Sequence, residues 1–154
     1  MTATDKAGRA SGTAAGAVAP VVYRPDHWTV SPLTSPSPGL RGGRCQRCGR
    51  VFFPRLGVCP GCMSTDPMGE VLLSRHGVLY CYSVVHVNQP GFTPPYVVAY
   101  VDLPEGPRIF GHLDGPADLG SKVEIYAGPI GHDRDGNPVI SVRFRPARPG
   151  QDPG

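Results

Sequence analysis

The sequence predicts an all-β protein in which a small cysteine-built unit precedes a five-stranded barrel. Three observations predict it. Four of the five cysteines fall in two Cys-x-x-Cys pairs, Cys45 with Cys48 and Cys59 with Cys62, within RCQRCGRVFFPRLGVCPGC. Downstream of them, runs rich in Val, Ile, Tyr and Phe recur at strand spacing, separated by Gly and Pro turns. No segment carries a convincing helical period.

Along the chain, residues 1–19 are Ala, Gly, Thr and Ser with few large side chains. They hold too little apolar surface to offset the entropy of ordering, so this arm is expected to be disordered. Residues 20–43 form a proline-rich arm with SPLTSPSPG at its centre, where Pro32, Pro36 and Pro38 oppose helix. Its stretch VVYRPDHW carries Tyr23 and Trp28, the only tryptophan. Aromatic anchors in so loose a segment imply that it docks, either on its own domain or on a partner.

Residues 44–69 are expected to form a zinc ribbon. A Cys-x-x-Cys turn brings two thiolates to one ion, and zinc takes four of them tetrahedrally. Gly49 follows the first pair and Pro60-Gly61 lies inside the second, where glycine lets the backbone wrap a metal in a left-handed conformation. Between the pairs, GRVFFPRLGV reads as a short β-hairpin arm. With Cys45, Cys48, Cys59 and Cys62 all ligating, no position stays open for water, so the zinc is expected to be structural.

The barrel is expected over residues 70–147. EVLLSRHGVLYCYSVVHVN, from Glu70 to Asn88, is broken at Ser74 to Gly77. PYVVAYVDL (Pro95 to Leu103) and RIFGHLD (Arg108 to Asp114) form a hairpin through the turn PEGP. SKVEIYAGPI (Ser121 to Ile130) and PVISVRFRP (Pro138 to Pro146) complete the set across DRDGNP, a strong turn signal. Five strands in about 75 residues fit an OB-fold, a partly open Greek-key barrel. Residues 148–154 are a tail.

Composition narrows the function. The chain has 21 glycines and 19 prolines, and its formal charge of +3 is too small to imply a polyanionic partner. Thirteen arginines stand against two lysines, and Arg41, Arg44, Arg47, Arg50 and Arg55 cluster in a stretch without acids between Asp26 and Asp66. No run approaches the roughly 20 apolar residues that span a bilayer. The N-terminus lacks a charged start and apolar core. An odd cysteine count with four in metal-ligand spacing points to a reducing compartment, hence a soluble cytoplasmic protein.

No catalytic set stands out. Cys81, in VLYCYSVV, alternates with Leu79 and Val85 and reads as a core hydrophobe. His76, His86 and His112 read as rim or surface residues. GPIGHDRDG lies between strands and not before a helix, which argues against a phosphate loop. Catalytic residues: none.

The order of ribbon and barrel resembles the acyl-CoA-associated zinc-ribbon/OB-fold family, once catalogued as a domain of unknown function. The matching stretches are RCQRCGRVFFPRLGVCPGC, LLSRHGVLYCYSVVH, PPYVVAYVDLPEGPRIFGHLDG, LGSKVEIYAGPI and VISVRFRPA, covering Arg44 to Ala147. The resemblance implies a non-catalytic accessory subunit of a thiolase-superfamily enzyme, a thiolase, synthase or aldolase acting on acyl-CoA thioesters. It also implies help in binding the CoA moiety, and the dimeric habit of thiolases favours a two-plus-two heterotetramer. Members usually carry a short aromatic helix ahead of the ribbon; YRPDHWTVSPLTSPSPGL is too proline-rich for one.

Several residues stay open to two readings. The five clustered arginines suit CoA phosphates by guanidinium geometry, or they form a basic ribbon surface facing an acidic partner. Phe52 and Phe53 are divided between a partner interface and packing of ribbon on barrel, and Trp28 joins them as a candidate interface residue. The alternative function is single-stranded nucleic-acid binding, with Tyr80 and Tyr82 on one strand face beside Tyr100 and Phe110 as a stacking platform. Against it, Glu70 to Glu124 holds six acids and three bases, a balance that repels phosphates.

Overall fold

A computed structural model describes residues 18–149. Residues 1–17 and 150–154, which hold most of the expected disordered arm and the end of the tail, lie outside the described residues. The described chain is all-β apart from one 3-10 turn, Pro25–His27.

The strands run in chain order as β1 (Val21–Val22), β2 (Arg41–Arg44), β3 (Val51–Phe52), β4 (Gly69–Leu72), β5 (His76–Val85), β6 (Tyr96–Asp102), β7 (Arg108–Leu113), β8 (Lys122–His132) and β9 (Pro138–Pro146). β2 pairs antiparallel with both β3 and β4, giving a three-stranded ribbon sheet. That sheet reaches beyond residues 44–69 on both sides, because β4 pairs with β2 and not with the barrel.

The barrel closes around β5, β6, β7, β9 and β8, with β8 returning to β5. All neighbours are antiparallel except β7 and β9, which meet as a parallel pair at His112 opposite Arg143 and Leu113 opposite Phe144. This is the five-stranded barrel expected of the sequence. The turn between β8 and β9 is built by Asp133, whose carboxylate accepts the backbone N–H groups of Asp135 and Asn137 at 2.9 and 2.8 Å while Gly136 takes a φ of 81°.

Phe144, wholly buried, sits at the barrel's centre with Leu79, Val101, Ile109 and Val123. Gly111 on β7 makes room for it: a Cβ there would stand 2.8 Å from the Phe144 ring. Burying such side chains contributes roughly 1.5–3 kcal/mol each.

The same core takes in Trp28 and Leu40 from the arm and Val51 from the ribbon. Trp28, 3% exposed, bridges Leu40 and is therefore spent on the chain's own core, which corrects its reading as a partner contact. The arm docks at both ends. Val21 and Val22 pair in parallel with Val139 and Ile140, and Arg75 donates to the hydroxyl and carbonyl of Ser37. In place of a helix the arm has only its single 3-10 turn.

A bulge corrects the reading of β5. Register shifts between Leu79 and Cys81, so Leu79 opposes buried Val101 whereas Cys81 opposes exposed Tyr100. Residues directly opposite in a ladder share a face, so Cys81 turns outward, half-buried, and is no core residue. Tyr82 falls opposite buried Ala99 and does not share a face with Tyr80, which breaks the four-ring platform. His112, expected at the rim, is buried at 7% exposure.

Candidate metal centre

β2 leads into the first cysteine turn and β3 leaves it, so the hairpin fixes Cys45 and Cys48 at its tip. The second turn, Cys59 to Cys62, is held on the following loop by the Cys59 N–H bonding to the Ser64 carbonyl at 2.9 Å. Each turn closes in the same way. Gly49 N–H donates to the Cys45 carbonyl at 3.0 Å and Met63 N–H to the Cys59 carbonyl at 2.8 Å. Both closing residues are left-handed, at φ 74° and 60°. The left-handed position of the second turn is thus Met63, after the pair, and not Gly61 within it.

The four Sγ atoms lie within 4.8 Å of one another. Cys45 Sγ stands 3.6 Å from Cys62 Sγ, and Cys48 Sγ 3.6 Å from Cys59 Sγ. Tetrahedral zinc with sulfur at about 2.3 Å requires sulfurs roughly 3.8 Å apart, so the donor set fits the ion. Among the described residues this is the only group of three or more His, Cys, Asp or Glu side chains placed to share a metal.

Electrostatics agree with a site shaped for thiolates. The backbone N–H groups of Cys48 and Arg47 hold the Cys45 thiol down to about 6. The N–H of Ser64 favours the Cys62 thiolate, yet desolvation and its three cysteine neighbours push that thiol up to about 11. Four thiolates repel one another unless a cation sits among them. Gly61 N–H adds a hydrogen bond to Cys59 Sγ at 3.3 Å. Cys45 and Cys59 are buried together with Met68, and Phe52 packs against them.

The arginines divide. Arg41 and Arg55 both reach Glu70 on β4, at 3.5 and 3.9 Å. Arg44 donates to the Gly49 carbonyl at 3.1 Å, and Arg50 lies across Gly61. Arg44, Arg47 and Arg50 remain exposed around the cysteine turns. Phe53 leaves the ribbon to pack on the shared core, meeting the His27 ring edge-on at 4.9 Å.

Two arrangements in the barrel were not legible in the sequence. His112 is stacked with Phe92 and Tyr96 at 5.7 and 5.4 Å; burial and the nearby Arg143 charge lower its pKa, which keeps it neutral near pH 7. Arg143 ties three segments by donating to Asp114 at 2.7 Å, to the Tyr126 hydroxyl at 3.1 Å and to the Pro129 carbonyl at 2.6 Å. Its donors are engaged within the fold. The only advance signals were GFTPPY, with two aromatics beside paired prolines, and the lone arginine pair of β9.

Comparison with known proteins gives a consistent result. Residues 36–67 match the family model described as the ChsH2 rubredoxin-like zinc ribbon domain, and residues 70–127 match that of the ChsH2 C-terminal OB-fold domain. Benzoylsuccinyl-CoA thiolase subunit BbsA of Thauera aromatica is 41% identical over 118 residues, 75% of this chain and 81% of that relative. A DUF35 domain-containing scaffold protein of Methanocaldococcus jannaschii is 39% identical over 114 residues, 70% of this chain and 81% of that protein. The solved Ltp2-ChsH2(DUF35) aldolase superposes with a TM-score of 0.58 at 33% identity, covering 71% of this chain and 86% of that one.

Proposed function

The chain belongs to the ChsH2 zinc-ribbon and OB-fold family (DUF35), and from that premise we propose that it is a non-catalytic accessory subunit of a thiolase-superfamily enzyme acting on acyl-CoA thioesters. The observation that carries the reading is its 41% identity, along three quarters of its length, to a protein named as a thiolase subunit. The aldolase named for its Ltp2 and ChsH2(DUF35) components supports the same role.

In this reading Cys45, Cys48, Cys59 and Cys62 hold zinc as four thiolates. A closed four-sulfur set leaves no site for water or substrate, so the ion supplies folding energy and no chemistry. The ribbon, with its sheet of β2, β3 and β4, and the barrel of β5 to β9 are presented to a dimeric catalytic partner in a two-plus-two assembly in the cytoplasm. Among the described residues, no helix is long and apolar enough to cross a membrane. Arg44, Arg47 and Arg50, exposed around the cysteine turns, are the arginines of the cluster best placed to meet CoA phosphates. Arg41 and Arg55 serve Glu70 instead.

Affinity capture of the tagged full chain from its native host tests the proposal. A thiolase-superfamily protein identified by mass spectrometry in the eluate, with about one zinc per chain, is the expected result. Recovery of nucleic acid without such a protein overturns it.

A further inference from the structure

The outer face of β5, β6 and β7 exposes large apolar side chains that no part of the described chain covers. Val78 is 47% exposed, Tyr80 52%, Tyr100 44% and Phe110 51%. Tyr80 follows inward-facing Leu79 onto this face, and Tyr100 and Phe110 are ladder partners with rings 5.3 Å apart. Aromatic side chains bury about 150–250 Å² each, so the row and its aliphatic margin leave on the order of 400 Å² open. That is the size of the largest apolar patch on an ordinary monomer, a patch that is often functional, and about half of one side of a stable interface.

The Arg108 charge on the face is cancelled by Asp102. Arg108 spends two donors on Asp102 at 2.6 and 3.0 Å and lays its guanidinium 3.3 Å over the Tyr80 ring. Arg108 is therefore already engaged and does not offer its charge to a polyanion or to an acidic peptide. Beside the row lies a groove of about 400 Å³ whose walls come from three segments: Tyr23 and His27 of the arm, Phe53 and Pro54 of the ribbon, Tyr100 and Phe110 of the barrel. Tyr and Arg beside a concave pocket are the composition of an interface hot spot.

We propose that this face and groove form the docking surface for the catalytic subunit, whose matching surface is uncharged and apolar with a projecting side chain for the groove. The inference rests on the accessory-subunit reading and adds to it the surface used. The arm then has a purpose: by anchoring Trp28 in the core it sets Tyr23 and His27 as one wall of the groove.

The test repeats the host capture with Phe110→Glu and Tyr100→Glu beside wild type, with Leu119→Glu as a charge control on a different exposed loop. Zinc content and thermal midpoint verify folding, and Phe110→Ser stands in should the glutamates disturb it. The expected result is at least a tenfold loss of the thiolase-superfamily protein for Phe110→Glu and Tyr100→Glu, severalfold for Phe110→Ser, and wild-type recovery for Leu119→Glu. Undiminished recovery in the row variants overturns this inference alone. Failure of wild type to capture any such protein overturns the accessory reading and this inference together. A wild-type self-association by sedimentation, or binding of oligothymidylate by anisotropy, that Phe110→Glu abolishes while capture persists assigns the face to another occupant and overturns it.

Discussion

Gly49 and Met63 close the two cysteine turns in the same left-handed backbone conformation, yet only glycine adopts it without cost. A left-handed L-residue loses roughly 1–2 kcal/mol through its Cβ. No atom lies within 4 Å of where a Cβ on Gly49 would stand, so Gly49→Ala tests the backbone term by itself. It is expected to destabilise the metal-loaded chain by about 1 kcal/mol in thermal or denaturant unfolding. Met63→Gly is expected to act in the opposite direction, by up to ~1 kcal/mol, because Met63 is largely exposed and loses little packing. Equal signs for the two substitutions would contradict the paired-turn account. The cysteine spacing was fully legible in the sequence, since four ligands at this spacing leave few alternatives. The left-handed residue of the second turn was not: Gly61 was the obvious candidate, but the hydrogen bond that closes the turn falls on the N–H of Met63.

At the scale of elements, the ribbon is no independent knuckle. β2 and β3 bring Val51 into one core with Trp28 and Leu40, so metal, ribbon and arm are mechanically joined. Trp28 is the only tryptophan and reports on this junction. Chelation of the metal, or Cys45→Ser or Cys62→Ser, is expected to shift its emission to the red and to lose the bound zinc. Emission unchanged after complete metal removal would show that the arm holds its place without the ribbon's metal. The strands themselves were legible because turn chemistry brackets them: DRDGNP and PEGP delimit β6 to β9 closely. What alternation did not reveal is the bulge at Tyr80, since one inserted residue inverts every later side chain while leaving the composition unchanged. The burial of Trp28 was equally hidden. A proline-rich arm docks through tertiary contacts, which local sequence does not encode.

The whole molecule is held by a shared core and by ion pairs around the barrel rim. Arg108 holds the Asp102 carboxyl below its ordinary range, and Arg145 does the same for Glu124. Groups whose carboxyls are depressed in the fold contribute stability above their unfolded pKa values, and that contribution is lost as pH falls through the folded ones. The thermal midpoint is therefore expected to be level above about pH 5 and to drop as pH goes below about 4, while protons also compete with metal for the thiolates. Both pairs are exposed enough for solvent screening to keep each effect small. A midpoint that rises on acidification would contradict this assignment.

The central claim is that the chain supports an acyl-CoA enzyme without doing its chemistry. It is tested most directly by measuring free CoA-thiol turnover with acetoacetyl-CoA as the probe thioester, for the metal-loaded chain alone, for its captured partner alone, and for the two recombined. The account predicts no turnover by the chain alone and a changed partner rate on recombination. Thioester cleavage by the purified chain itself, abolished by a substitution within it, would contradict the account.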